Sequence, residues 1–285
     1  MARRNNADRL GAPAQDTGTP ANTISNTADD LFSFVNPTEF VALPSEGRFY
    51  PESHPLHNAD TVEIKHMTAK EEDILTSETL LKKGVAINRM VGSLLLDKNI
   101  KVRELLLGDK NAILIAARIT GFGPQYEVNT TCPSCYGKAD NVFDLGEIQA
   151  VETNDVPETV TLLEGGLFSV DLPSSKVNVT LKLLTTADEE ALQQATSSKK
   201  KLKRESSVVT DLLKAIIVAA NDHTDRPTIN KFVEMIPLQD VSYLRTQYEQ
   251  VKPDMDVKFD FECPACSYVG RVVMPMSAEF FWPKR

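Results

Sequence analysis

The four cysteines of this 285-residue chain fall in two near-identical quartets, Cys132-Pro133-Ser134-Cys135 and Cys263-Pro264-Ala265-Cys266. A Cys-x2-Cys turn lets two thiolates point at one ion, and two such turns complete a tetrahedral four-cysteine zinc site. Proline at the second position of each quartet stiffens the turn. Gly137 follows the first pair and Gly270 the second; both are expected to let backbone N–H groups approach the sulfurs. With Cys132, Cys135, Cys263 and Cys266 as ligands, no coordination position stays open for a substrate. The zinc is therefore expected to be structural, and in small metal-dependent modules such sites supply on the order of 10 kcal/mol of folding free energy. Two other readings stand beside this one. A thioredoxin-like redox pair needs its Cys-x-x-Cys at the start of a helix, whereas the flanks "YEVNTT" and "VKFDFE" read as strands and make each pair a hairpin tip. Four buried cysteines without a metal are the other. The spacing departs from a compact zinc ribbon, whose pairs lie some 15–20 residues apart; here 127 residues separate Cys135 from Cys263.

Other chemistry is thinly represented. His54-x2-His57 has the spacing of a metal pair but lies in a Pro-rich loop, which predicts solvated side chains. Glu71/Glu72 and Glu189/Glu190 fall in first helical turns, where they complement the helix dipole. The run Lys199 to Arg204, "KKKLKR", could touch nucleic acid or an acidic protein patch, although such runs are usually solvated. No Ser-His-Asp arrangement, P-loop or dinucleotide fingerprint is present; Gly165-Gly166 and Gly121-x-Gly123 are turn signals. The net charge of −9 argues against a binder that relies on neutralising phosphates. No apolar run reaches the ~18 residues of a membrane span, and the N-terminus has no apolar core of a secretory signal. The chain is expected to live in a reducing cytoplasm, where paired cysteines more often mean metal than disulfide.

The elements that must carry the cysteines can be read along the chain. Residues 1–30 are almost without large apolar side chains and are expected to be a disordered tail. Residues 31–60 form an expected extended arm, sticky with Leu31, Phe32, Phe34 and Phe40. It packs on its own domain or docks on a neighbour. A strand from Val62 runs into a helix capped by Thr68 with Glu71 three residues on. Helical spacing continues through "LLKKGVAINRMVGSLLL", and Asp109 caps a further helix that ends at Gly121 and Gly123. The first cysteine hairpin follows. Residues 146–176 are a connecting β-hairpin around Gly165-Gly166. Residues 177–285 then repeat the order: a strand and capped helix in "KVNVTLKLLTTADEEAL", a helix in "VVTDLLKAIIVAAND", a helix capped by Asp240, and the second cysteine hairpin. Phe280, Phe281 and Trp282 close the chain as a compact aromatic group.

The order of elements is also visible as self-similarity. "VEIKHMT-AKEED" from Val62 aligns with "VTLKLLTTADEEA" from Val179 with one residue inserted. The segments from Leu107 and Leu238 align without a gap, placing Asp109 on Asp240, Cys132 on Cys263 and Cys135 on Cys266, each 131 positions on. Such self-similarity should shape the fold expected. The expectation is an α+β protein of two tandem strand–helices–β-hairpin units, residues 61–145 and 177–285. They form a pseudo-twofold internal repeat joined by the zinc-knuckle pair, with the extended N-terminal arm in front. The long interval between knuckles is then the length of one unit.

"ALPSEGRFYP", "VEIKHMTAKEEDILTSETLLKKGVAINRMVGSLL" and "LLLGDKNAILIAARITGFGPQYEVNTTCPSC" together resemble the baseplate hub protein family of T4-like contractile-tailed bacteriophages. The most specific pieces are "TAKEEDIL" at Thr68–Leu75 and "LLLGDKNAILIAARITGFG" at Leu105–Gly123; the likeness runs from about Ala42 to Cys135 and more loosely to Met274. The resemblance implies a non-enzymatic part in tail assembly. The chain would be a baseplate hub subunit in the virion, made in the host bacterial cytoplasm, or an assembly factor absent from the mature particle. Its partners would be other baseplate, hub or tail proteins, with no nucleic acid, membrane or small-molecule substrate. The expected docking residues are Leu31, Phe32, Phe34, Phe40, Phe280, Phe281 and Trp282. From a different class, a zinc-dependent nucleic-acid-binding module using Lys199–Arg204 is the remaining alternative.

Overall fold

The computed structural model describes residues 37–151, 156–202, 205, 207–274, 276 and 278–281. The expected tail, Leu31, Phe32, Phe34, Lys203, Arg204 and Trp282 lie outside the described residues. The architecture is mixed α and β, with small antiparallel sheets and, among the described residues, eight α-helices.

Strand β1 (Thr38–Ala42) pairs antiparallel with β2 (Thr61–Lys65), placing Val41 opposite Val62. Between them the loop Leu43–Asp60 turns inward. Leu43, Phe49, Tyr50 and Leu56 are buried, so the described part of the expected arm is built into the core of its own chain. Then come α1 (Ala69–Thr76), α2 (Glu78–Lys83) and α3 (Ala86–Leu94). Gly84, at φ 69°, ends α2 in the left-handed conformation that suits glycine. In α3, Met90, Val91 and Leu94 recur at helical spacing and are buried on one face. Leu95, directly after α3, bridges to Ile64 of β2. Helix α4 (Leu107–Phe122) leads into β3 (Gln125–Thr131) and β4 (Lys138–Asp144), which pair antiparallel.

The second half opens with β5 (Val160–Leu163) and β6 (Leu167–Asp171), joined through Gly165 and Gly166. A Cβ on Gly166 would sit 2.4 Å from the Phe49 carbonyl oxygen, which is why glycine is needed there. β7 (Asn178–Lys182) pairs with β6 and leads to α5 (Thr186–Lys201) and α6 (Val208–Ile216). Directly after α6, β8 (Ile217–Ala220) pairs with β7 and completes a four-stranded sheet in the order β5-β6-β7-β8. The helix expected to continue through "IIVAA" thus stops at Ile216. A short apolar run suits strand and helix alike by periodicity, and the edge of β7 decides it. Helices α7 (Arg226–Met235) and α8 (Leu238–Val251) precede the last pair, β9 (Lys258–Glu262) and β10 (Val269–Val273).

Matching devices recur in the two halves. Lys65, Thr68 and Glu71 form a capping box at α1, with the Thr68 N–H donating to Glu71 at 2.9 Å and the Lys65 ammonium at 2.9 Å. Lys182, Thr185 and Asp188 do the same at α5, at 3.0 Å and 2.7 Å. The shared spacing of these triads removes the inserted residue that the sequence comparison placed after the threonine. Asp109 and Asp240 were expected to be helix caps, but both sit inside the first turn, buried, and reach out to a Leu-Pro-Ser loop. Asp109 accepts from the Ser45 N–H (3.0 Å), the Ser45 hydroxyl (2.6 Å) and the Tyr50 hydroxyl (2.7 Å). Asp240 accepts from the Ser174 and Ser175 N–H groups, both at 2.8 Å. Burial pushes the Asp109 carboxyl up against these bonds; at Asp240 burial acts the same way, but the serine donors prevail and hold it low.

Most of the buried apolar side chains among the described residues form one contiguous core. Ile64, Leu75, Met90 and Ile113 from the first half pack in the same cluster as Phe168, Leu181, Ile216 and Leu244 from the second. The halves also meet through backbone: Leu107 N–H donates to Leu184 C=O at 3.1 Å and Thr186 N–H to Leu105 C=O at 2.8 Å.

Candidate metal centre

Each cysteine pair sits in the turn of a two-stranded sheet. In the first, the Cys132 N–H donates to Gly137 C=O at 2.8 Å and the Tyr136 N–H back to Cys132 C=O at 3.0 Å. In the second, Cys263 N–H donates to Tyr268 C=O and Ser267 N–H to Cys263 C=O, both at 2.9 Å. Tyr136 (φ 59°) and Ser267 (φ 54°) hold equivalent left-handed positions just after the second cysteine. Neither residue type announces that conformation, so sequence reasoning missed this feature. The two glycines divide in role. A Cβ on Gly137 would come within 3.2 Å of the Cys135 sulfur, as a close approach to the thiolates requires. Gly270 lies in β10, where a Cβ would meet the Tyr268 hydroxyl at 2.4 Å; its vacancy serves the tyrosine ring and not the sulfurs.

The tips of the two hairpins meet. Cys132 and Cys263 are buried and form a small apolar cluster with Ala139 and Phe261. Further down, the rings of Phe143 and Phe259 stack with centroids 4.2 Å apart. Cys135 and Cys266 lie on the exposed side. The four sulfurs are all within 4.8 Å of one another. Across the hairpins, Cys132 Sγ is 3.7 Å from Cys266 Sγ and Cys135 Sγ is 3.7 Å from Cys263 Sγ. A disulfide needs about 2.05 Å. A tetrahedron with metal–sulfur bonds of about 2.3 Å has sulfur–sulfur edges of about 3.8 Å. The cluster has the dimensions of a four-thiolate coordination shell.

Its electrostatics point the same way. Amide N–H groups of Ala265 and Cys266 pull the Cys263 thiol down to about 7. Cys135 also receives an amide hydrogen bond, from Gly137, yet the sulfurs of Cys266 and Cys263 push it up to about 12. The Cys263 thiolate forms readily while Cys135 resists, and a cation among the sulfurs would favour the ionised forms.

The other expected sites fare differently. Phe40 stands on β1 and is exposed. Phe280 and Phe281 are fully buried. Their rings pack edge to face, and Phe280 also meets Tyr126. Arg118, buried, donates to the carbonyls of Phe280 (2.9 Å), Gly123 (2.7 Å) and Gln125 (3.0 Å), fixing the terminal turn. These two aromatics are therefore spent on the chain's own core, which corrects the expectation of an exposed docking group. His54 is not solvated either: it is buried and stacked on Tyr50 with centroids 4.4 Å apart. His57 Nδ1 lies 2.7 Å from the Tyr50 carbonyl oxygen, so the two histidines turn to different partners. Lys199 is held by Asp211 and the Ser207 hydroxyl rather than offered to a polyanion. Glu71 is buried, beyond a dipole role, and Glu189 pairs with Lys110. Among the described residues, no helix is long and apolar enough to cross a membrane.

Neither the curated proteins nor the solved structures contain a match to this chain. A family model does match, over residues 37–282. That span takes in both cysteine hairpins, both capping boxes and the buried terminal turn. On it the chain belongs to the T4 bacteriophage base plate protein family.

Proposed function

We propose that this protein is a structural component of a contractile tail baseplate, working in the hub through protein–protein contacts. The observation that carries the proposal is the family match across residues 37–282. Its partners are other baseplate or tail proteins, its place is the virion tail, and it is made in the host cytoplasm. It acts without catalysis: four thiolates saturate the candidate ion, which suits a structural zinc and leaves no position for a substrate. The two halves are an internal repeat. The paired Lys-x2-Thr-x2-Glu/Asp boxes, the two first-turn aspartates on Leu-Pro-Ser loops and the two left-handed knuckle residues support that reading.

The test is the protein content of purified virions from the producing phage. Quantitative mass spectrometry is expected to find this chain in a fixed ratio to the other baseplate proteins. Its presence in tail-assembly intermediates and absence from finished virions would replace the hub-subunit reading by that of an assembly factor.

A further inference from the structure

A groove of 1120 Å³ opens beside Tyr50 and His54, walled by the segment Lys98–Glu104 and by Thr185 and Ala187 at the start of α5. Its lining carries three cations, Lys98, Lys101 and Arg103, against one carboxylate, Glu104. That balance is opposite to the chain's net charge of −9. Lys101 and Arg103 are exposed. Each spends part of its capacity inside the protein: Lys101 on Glu104 at 3.0 Å, and Arg103 Nε on Glu190 at 3.2 Å. Lys98 donates to Leu95 C=O. A guanidinium has five donors and an ammonium three, so hydrogen-bonding capacity remains on all of them. The N-terminal end of α5 adds the positive end of its dipole to the same wall.

At the back of the groove is a donor with nothing to donate to. His54 Nδ1 accepts from the Leu56 N–H at 3.1 Å, which puts the proton of the neutral ring on Nε2. Nε2 is buried, and among the described residues nothing accepts from it. Glu104 Oε2 is 3.8 Å away, beyond hydrogen-bond reach, and the other oxygen of that carboxylate, Oε1, pairs with Lys101. Burial holds the imidazole below its ordinary pKa and so keeps it a neutral donor. A buried N–H left unpaired in a natural fold calls for a partner.

We propose that this groove receives an acidic segment of a partner protein, one carboxylate of which accepts the His54 Nε2–H while flanking acids face Lys98, Lys101 and Arg103. At 1120 Å³ the groove is too large for a lone ion, and Tyr50, Pro51 and Pro55 in its lining offer apolar contact that peptide side-chain stems can use. The apolar part of the lining suits peptide side-chain stems better than a sugar–phosphate backbone, and the base plate family match favours a protein segment over nucleic acid. The proposal deepens the protein–protein role put forward above. Virion composition tests that role, whereas the groove is tested on purified protein, so either can fail alone.

The experiment is fluorescence polarisation of the full-length protein at low salt with two labelled probes, a ten-residue glutamate peptide and a ten-nucleotide single-stranded DNA. The expected result is saturable peptide binding, weakened on the order of tenfold by Lys98→Glu/Lys101→Glu/Arg103→Glu. The His54 Nε2 NMR resonance should shift as peptide is added. If the triple variant does not fold, Arg103→Ala replaces it, with a severalfold loss expected. Absence of peptide binding, binding that these substitutions leave unchanged, or a His54 signal that stays still would each overturn the proposal. So would DNA binding tighter than peptide binding with the same dependence on the three cations.

Discussion

Glu71→Gln is the substitution whose effect can be worked out furthest. Glu71 is fully buried at the start of α1, where Thr68 N–H, Thr68 hydroxyl and Lys65 ammonium all donate to its carboxylate. Burial raises its pKa, but these donors outweigh burial and leave it at about 2 against an ordinary 4.5. A folded-state pKa below the unfolded one means that the ionised form stabilises the fold. That contribution is full above pH 4.5 and is lost as the pH falls through 4.5 towards 2. At about 1.4 kcal/mol per pKa unit, the drop is worth about 3 kcal/mol at neutral pH. A glutamine keeps the shape and mimics the protonated acid.

The variant is therefore expected to be less stable than the parent by about 3 kcal/mol at pH 7, about 2 kcal/mol at pH 3.5, and close to zero below pH 2. Urea unfolding of both proteins across this range gives the difference directly. Protonation of the cysteines in acid affects parent and variant alike and cancels. A difference that stays constant from pH 6.5 to 3.5 would refute the reasoning, because it would show that glutamine disturbs packing rather than removing a charge. Asp188→Asn at α5 should give the same sign, since Lys182 and Thr185 hold that carboxyl below its usual range despite burial.

At the metal centre, the purified protein should carry one zinc, and Cys132→Ser or a strong chelator should release it. Hydrogen exchange at the amides of β3, β4, β9 and β10 should then speed up by about a hundredfold or more; unchanged exchange, or protein free of metal as isolated, would dispose of the site. Arg118→Met should cost about 3 kcal/mol by leaving three carbonyls without their donor, and should expose the terminal turn to proteolysis; a resistant terminus would show that the aromatic packing suffices. Gly166→Ala should cost about 2 kcal/mol or more in urea, because the position has φ 72° and no room beside the Phe49 carbonyl. A neutral effect there would mean that the turn can shift.

The parts of this molecule legible in its sequence are those set by short-range chemistry. The two Cys-Pro-x-Cys turns, the Thr68 box and the Gly165-Gly166 turn are written in consecutive residues, and the alternation around the cysteines reads as strand because side chains alternate across a pleated sheet. What escaped depends on distant partners. Asp109 looked like a helix cap because aspartate favours that position; its real partners, Ser45 and Tyr50, lie about sixty residues upstream. "IIVAA" became a strand because β7 offered it an edge. His54 looked solvated in a Pro-rich loop, yet Tyr50 supplied a ring to stack on. Phe280 and Phe281 looked like a sticky tail until Arg118 fixed the turn that buries them.

The packing also alters what the candidate metal has to do. Two halves joined only through a four-cysteine site would come apart when the ion left. These halves share one apolar core, and backbone hydrogen bonds between Leu105–Leu107 and Leu184–Thr186 cross from one to the other. Neither joint includes a cysteine. The hairpins, by contrast, are two-stranded, and such pairs are marginal on their own. Beyond the Phe143–Phe259 stack at their base, they have towards their tips a cluster of just four buried residues, two of them the cysteines Cys132 and Cys263. An ion among the sulfurs would supply at that end the cohesion that apolar burial supplies elsewhere. Its stabilisation would therefore be local: it would fix the two hairpins against each other and leave the central core to hold the halves. A part of an assembly that must present a rigid surface gains from stiffness at such two-stranded hairpins, because ordering them in advance removes that entropy cost from the docking step.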